Sequence, residues 1–495
     1  MGWGRKKLFF DAALPEAKTA TRRARLADSL DKLVQYRALH RVLLPCGPAT
    51  TTAAAIPRPE AFFLETETGG YAPRAQPLAA PPFIVAAALA WLAAHPAFGP
   101  LTETVSGEAD PFLAAAAIRH GGIVLTSDSD LLVFTASGPA AGVREWGVVM
   151  LQDLAFSTDT ASARVFRPAR IAAALDAPLV DVAFQLSLDP FSSLPSILAR
   201  LAQRGRRGRS GAGALATPPE FAAQYALPAA GAEAVVAAVE EPRLGELLFL
   251  AKTNARPRTM FLPFLADDPQ GAPAWDVCRG IRAVAYSLLF PRAPGEGDGH
   301  GDGVAEVFRR GPRIVDAPVA RLAAADLATG LPALSGLIDA GPDHWWAALV
   351  LDDVCARMRE REQPPPALQE LAAAATMLLA APPPTPPPPS HQHPPPPQGW
   401  TWPRVRLFAA LQAGWYSLLL LRAVLTFVAA RGGGSGGGDR GGVAGCETLR
   451  RGLQRLPSVL DLFDGPAFVV ACDGGAVAPA AQQLAGAVLA RCRAG

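Results

Sequence analysis

The stretch Val105–Phe134 reads VSGEADPFLAAAAIRHGGIVLTSDSDLLVF. Glu108 and Asp110 stand two residues apart, and Asp128 and Asp130 repeat that spacing further on. Carboxylates repel one another, so a folded chain that gathers four of them usually has a cation to hold. Between the pairs, Pro111–His120 has the composition of an alanine-rich helix, with Asp110 placed to cap it and Pro111 at the first helical position. Gly121 and Gly122 stop that helix, and Ile123–Thr126 follows as a strand.

Upstream, Lys7–Phe10 reads as a short apolar strand ending at Asp11. Pro15 to about His40 reads as a helix, and Pro82–His95 as another. Strands alternating with helices predict an α/β fold with a parallel sheet covered on both faces. In such sheets functional groups collect at the carboxyl ends of the strands, where Asp11, Asp128 and Asp130 fall. Glu108 and Asp110 fall at a helix N-terminus, whose dipole favours negative charge. All five are therefore expected to face one edge of the sheet. Carboxylate oxygens are the ligands Mg2+ and Mn2+ prefer, and two such ions stabilise the attacking and leaving oxygens of phosphodiester cleavage. Each cluster alone also has a plain structural reading as a turn, a cap or a loop residue. Three clusters at matched positions favour the metal.

The helix after Asp11 carries Lys18, Arg22 and Arg25, spaced four and three apart, so they share a face. Arg23, Lys32, Arg37 and Arg41 add charge nearby. An ordinary solvated face is one reading; contact with a phosphate beside Asp11 is the other.

At these residues the chain resembles the flap endonuclease/XPG superfamily of structure-specific 5′ nucleases, built on a PIN-like domain, and its asteroid branch in particular. The family pattern of a strand ending in FDG, a proline-containing turn and a basic helix is matched by LFFDAALPEAKTATRRAR, with Ala12 in place of the glycine. A lysine seven residues after the aspartate and an arginine seven further on are matched by Lys18 and Arg25. The G-E-A-(E/D) helix start and the D-x-D after the next strand are matched by Gly107–Asp110 and Asp128–Asp130. The resemblance implies that these acids bind two divalent ions, Mg2+ or Mn2+, while Lys18 and Arg25 face the reacting phosphate. It also implies a further metal-binding aspartate that opens a helix-turn-helix, matched by Asp189 in LVDVAFQLSLDPFSSLPSILARL, although Pro190 follows and the glycine-rich hairpin is missing. In the family another strand ending in aspartate lies upstream of the FDG position. Asp11 stands ten residues from Met1, so either the sequence is truncated at its start or the PIN-like core lacks that N-terminal strand and one ligand.

Composition bounds the rest. The 495 residues are 50% hydrophobic and 18% charged, enough for two or three domains with sizeable cores. A formal net charge of +2 gives no global nucleic-acid footprint, so any such signal is local. The six cysteines are scattered without zinc-like spacing and read as buried free thiols. Leu407–Ala430 is interrupted by Gln412 and Arg422 and reads as a buried helix rather than a membrane span.

The expected organisation is a PIN-like/XPG core over 1–156, a helical region over 157–240 similar to a degenerate helix-turn-helix, and a helical domain over 241–381. A Pro-rich linker over 382–400 and a helical C-terminal region over 401–495, with a Gly-rich break at 432–442, complete it. Arg204–Gly211 reads as a basic, glycine-rich loop, either a solvated linker or a phosphate contact through Arg206 and Arg207. Gly295–Gly303 lacks the EF-hand pattern and reads as a flexible loop.

Two functions compete. One is a Mg2+- or Mn2+-dependent nuclease acting in DNA repair on DNA with a single-strand/duplex junction, a 5′ flap or free end. The other is a PIN-like scaffold that binds nucleic acid or protein without cutting. A haloacid-type phosphatase would need a nucleophilic Asp in a DxD directly after the first strand, an order not found here. No membrane partner is expected, and the location expected is intracellular, the nucleus ahead of the cytoplasm.

Overall fold

A computed structural model describes residues 7–11, 18–39, 82–105, 107–134, 145–157, 160–207, 216–228, 241–254, 258–291, 303–340, 345–363, 366–378, 401–432, 443–454, 456 and 479–494. In chain order the elements begin with β1 (Leu8–Asp11), α1 (Thr19–Leu39), α2 (Ile84–Ala94), β2 (Thr102–Val105), α3 (Ala109–His120), β3 (Ile123–Thr126) and β4 (Gly147–Met150). A two-residue pair follows, β5 (Ala155–Phe156) and β6 (Ala161–Ser162), then α4 (Pro168–Leu175), α5 (Leu179–Leu188), α6 (Leu194–Arg207) and α7 (Pro219–Ala223). Next come α8 (Pro242–Thr253), β7 (Thr259–Phe261), α9 (Arg279–Leu289), β8 (Val304–Arg310), β9 (Arg313–Val319) and α10 (Ala324–Ala340). The last helices are α11 (Trp345–Arg359), α12 (Leu368–Leu378), α13 (Trp402–Gly432), α14 (Val443–Leu453) and α15 (Pro479–Ala494).

These elements form two compact units, one of Met1–Leu14 with Leu101–Val239, the other of Pro15–Pro100 with Glu240–Gly495. The division does not follow the expected run of 1–156. Helix α1 packs on β9, Arg22 pairs with Glu246 and Arg23 with Asp316, which ties α1 to the second unit.

The first unit is mixed α/β and PIN-like, built on parallel strands. β1 pairs with β2 and β3 with β4, both in parallel, and among the described residues no strand joins the two pairs. Helix α3 packs on β1, β2 and β3. Its Ala114, Ala117 and Ile118 form a core with Val124, Leu131, Phe134, Trp146, Val148 and Met150. α3 ends where Gly121 takes a left-handed φ of 67°, its amide returning to the Ala117 carbonyl. The alternation of β3 sends Val124 inward and leaves Ile123 and Leu125 more than half exposed, so this strand is not covered on both faces as expected. Two boundaries shift by a residue or two. Glu108, not Asp110, is the N-cap of α3, and Asp11 is the last residue of β1 rather than the first beyond it.

The second unit is mainly helical around α13, which packs on α8, α9, α11, α12 and α14. α13 is long and apolar enough to cross a membrane by length and composition, and 61% of its most apolar window is buried in the protein. Its hydrophobic residues run around all faces, the pattern of a core helix enclosed by others. The segment expected to be helical over 241–381 also contains a three-stranded sheet, with β7 parallel and β9 antiparallel to β8. Two inward-facing charges hid it from an alternation search: Glu306 and Arg309 are buried on β8. Arg282 on α9 meets Glu306 with Nε at 2.6 Å, and Arg309 pairs with Asp267. Cys278, Cys355 and Cys492 are buried free thiols and Cys446 a half-buried one. The Pro-rich linker, the Gly-rich break after Gly432 and residues 295–302 lie outside the described residues.

Candidate functional site

Parallel pairing sets the site. In β1 and β2 the register places Asp11 opposite Val105, so both strands finish at the same level. Directly after β2 the chain turns into α3, which puts Glu108 at the N-cap and Asp110 in the first turn. Asp11 Oδ1 accepts the Ala109 amide at 2.5 Å. The Glu108 side chain makes no capping bond, so the strand-end carboxylate serves one of the unpaired amides at the start of α3.

Beyond β3, Asp128 caps a short turn over Ser129–Leu132. Its amide donates to Thr126 Oγ1 at 2.9 Å, and its Oδ1 accepts the Asp130 amide at 2.9 Å. Leu131 is fully buried and pins the turn, leaving Asp128 and Asp130 exposed. The DSD motif is thus a side-chain-closed turn that presents two carboxylates to solvent.

Tyr225, which nothing in the sequence singled out, stands beside this turn. Its ring packs on Phe134 at 5.5 Å and on Phe221 at 5.6 Å. Its hydroxyl pKa is pushed up to about 12, first by burial and then by the charges of Asp130, Asp128 and Glu108. Three of the four carboxylates therefore act on one phenol. Asp189 is not among them.

The donor chemistry of Asp11, Glu108, Asp110, Asp128 and Asp130 fits a hard divalent ion, and the field of Glu108, Asp128 and Asp130 at Tyr225 is one that a cation would relieve. The spacing is looser than the sequence implied. Among the described residues no three His, Cys, Asp or Glu side chains already close into a group that could hold a metal ion.

Asp189 ends α5 and serves the turn into α6. It accepts the Phe191 amide at 3.2 Å and the Ser192 hydroxyl at 2.5 Å, and that hydroxyl bond chiefly holds its carboxyl below the usual range. Arg200 reaches Ser192 Oγ at 3.1 Å, fastening α6 to the same turn.

The basic residues separate. Lys18 immediately precedes α1 and is half-buried, and Arg25 is exposed. Arg22 is committed inside the second unit: Glu246 takes both of its terminal nitrogens at 2.7 and 3.0 Å, and its guanidinium lies 4.2 Å from the Phe261 ring centre. That guanidinium is not open to a phosphate. Arg206 and Arg207 are the last residues of α6, not loop residues, because the apolar stripe through the fully buried Ile197 carries the helix past Arg204.

A family model described as XPG domain containing matches residues 80–321. Over that segment, just under half of its length, the chain is similar to XPG-domain proteins. The match supports the XPG/PIN-like nuclease superfamily, in keeping with the parallel strand pairs and the acidic strand ends. Glu108, Asp110, Asp128, Asp130, Asp189 and Tyr225 fall within the matched XPG-type segment, whereas Asp11, Lys18 and Arg25 precede it. No curated protein and no solved structure matches the chain.

Proposed function

We propose that the XPG-type domain is a divalent-metal-dependent nuclease of the asteroid branch, hydrolysing phosphodiester bonds in DNA at a single-strand/duplex junction. The observation that supports it is the shared field of Glu108, Asp128 and Asp130 at Tyr225, beside the ends of parallel strands. Asp11, Glu108, Asp110, Asp128 and Asp130 would hold Mg2+ or Mn2+. Bound there, the ions would supply charge stabilisation to the attacking and leaving oxygens.

The protein's own groups have roles besides. Tyr225, protonated at neutral pH as an ordinary tyrosine is, would serve as a hydrogen-bond donor to a phosphate oxygen. Arg25, exposed on α1, remains a candidate cation for the nucleic-acid backbone.

A second reading, a scaffold that binds nucleic acid without cutting, is favoured by the absence among the described residues of three convergent ligands. One experiment separates them. The purified chain is incubated with Mg2+ or Mn2+ and a labelled flapped duplex, beside the Asp128→Ala/Asp130→Ala variant. Cleavage by wild type alone supports the nuclease. Binding without cleavage by either protein supports the scaffold.

A further inference from the structure

The second unit contains a cavity of about 470 Å3 against Trp402, within the range of small-molecule sites. It takes no part in the acidic site. Its walls carry four guanidinium groups, Arg37, Arg357, Arg361 and Arg406, against two carboxylates, Asp268 and Glu370. Apart from Gln363 the remaining lining is apolar and includes Val354, Met358, Leu407 and Ala410.

Most of the arginines are already matched. Arg37 bonds Asp268 at 3.2 Å and lies 4.6 Å from the Trp402 ring centre. Arg361 bonds Asp276 at 2.6 Å, and Arg357 bonds Glu360 at 3.1 Å. Arg406 differs. Its bond is to the neutral Gln363 amide, and the two carboxylates whose charge reaches it, Asp268 and Asp267, are themselves ion-paired with Arg37 and Arg309. Its charged form is opposed first by burial and then by the neighbouring Arg361. A second orphan lies close by: Arg357 Nε is buried with no hydrogen-bond partner among the described residues. Burying a charge or a donor without a partner costs stability, and both costs are removed if an anion sits between these arginines.

We propose that this cavity binds a phosphate monoester of mononucleotide size, its phosphate between Arg406, Arg361 and Arg357 and its ring on the apolar lining. A phosphate monoester carries about −1.5 to −2 charges at neutral pH and several acceptor oxygens, which suits a site where Arg406 makes no ion pair and Arg357 Nε makes no hydrogen bond among the described residues. Met358 gives the apolar lining an adaptable surface for a flat ring.

The test is calorimetric titration of the full chain with adenosine 5′-monophosphate, with adenosine and inorganic phosphate as separate probes. Adenosine 5′-monophosphate is expected to bind at least about tenfold more tightly than either probe. Arg406→Met keeps the length of the stem and removes the opposed charge. It is expected to weaken binding by about tenfold or more while the melting temperature of the free chain stays level or rises. Arg361→Gln, a second variant in the cavity lining, is expected to weaken binding in the same direction. The proposal is overturned if adenosine 5′-monophosphate gives no binding, if adenosine binds equally well, or if the folded Arg406→Met and Arg361→Gln chains bind it as wild type does.

Discussion

Asp11 and Ala109 are joined by a carboxylate-to-amide hydrogen bond of 2.5 Å between the end of β1 and the first residue of α3. The bond makes Asp11 a helix cap supplied from another element, as well as a candidate metal ligand. The two roles separate by substitution. Asp11→Asn keeps an acceptor and removes the charge, so thermal stability should change by less than about 0.5 kcal/mol while metal-dependent cleavage falls. Asp11→Ala should cost a further ~1 kcal/mol, the usual worth of a cap. Equal stability loss in both variants, measured by denaturant unfolding, would contradict the cap.

The buried pair Arg282–Glu306 invites a double-mutant cycle. Arg282 spends all its donors: two on Glu306, the others on the Val277 and Trp275 carbonyls and on Ser417 Oγ. Tyr286 donates a further bond to Glu306 at 2.8 Å. Glu306→Leu leaves Arg282 charged and buried, and should cost about 3–5 kcal/mol in urea unfolding. Arg282→Met combined with Glu306→Leu should recover most of that loss.

Tyr225 gives a pH prediction with a definite sign. Its pKa is raised in the folded state to about 12, so between the ordinary tyrosine value and 12 the unfolded chain loses a proton that the folded chain keeps. The contribution is fully present below about pH 10, the ordinary tyrosine value, and is lost as pH rises towards 12. Tyr225→Phe should therefore show a shallower fall of stability across that interval. Parallel alkaline unfolding curves for the two proteins would count against the assignment.

Gly414 on α13 is a packing contact. A Cβ built there would lie 2.5 Å from Val350 Cγ1 and 3.0 Å from Cγ2, on a fully buried, β-branched neighbour in α11. Gly414→Ala should destabilise by about 1–3 kcal/mol despite alanine's better helix propensity. Adding Val350→Ala should relieve the clash and partly restore the melting temperature.

Much of the acidic site is local and therefore readable in the chain. Gly121 and Gly122 stop α3, Ile123–Thr126 forms the strand, and the Asp128–Asp130 turn closes on its own side chain, all within a few residues. What lay beyond reach depends on distant partners. Tyr225 acquires its place only when α7 and the turn after it pack against the core of α3 and β3. The sheet β7–β8–β9 was illegible because Glu306 and Arg309 break the apolar alternation, and only Arg282 and Asp267 make their burial tolerable.

By itself the sequence determined one strand of each parallel pair, the carboxylates at the strand ends and the XPG-type resemblance, because turn, cap and strand signals act between neighbours in the chain; the partner strands Thr102–Val105 and Gly147–Met150 emerged only in the fold. The tertiary structure alone decided which charges are spent. Arg22, read as a phosphate contact, is consumed by Glu246, 224 residues away, while Arg406 lies in a cavity wall without a carboxylate partner among the described residues. Whether a charge is matched depends on what folds against it, and the spacing along one helix does not contain that information.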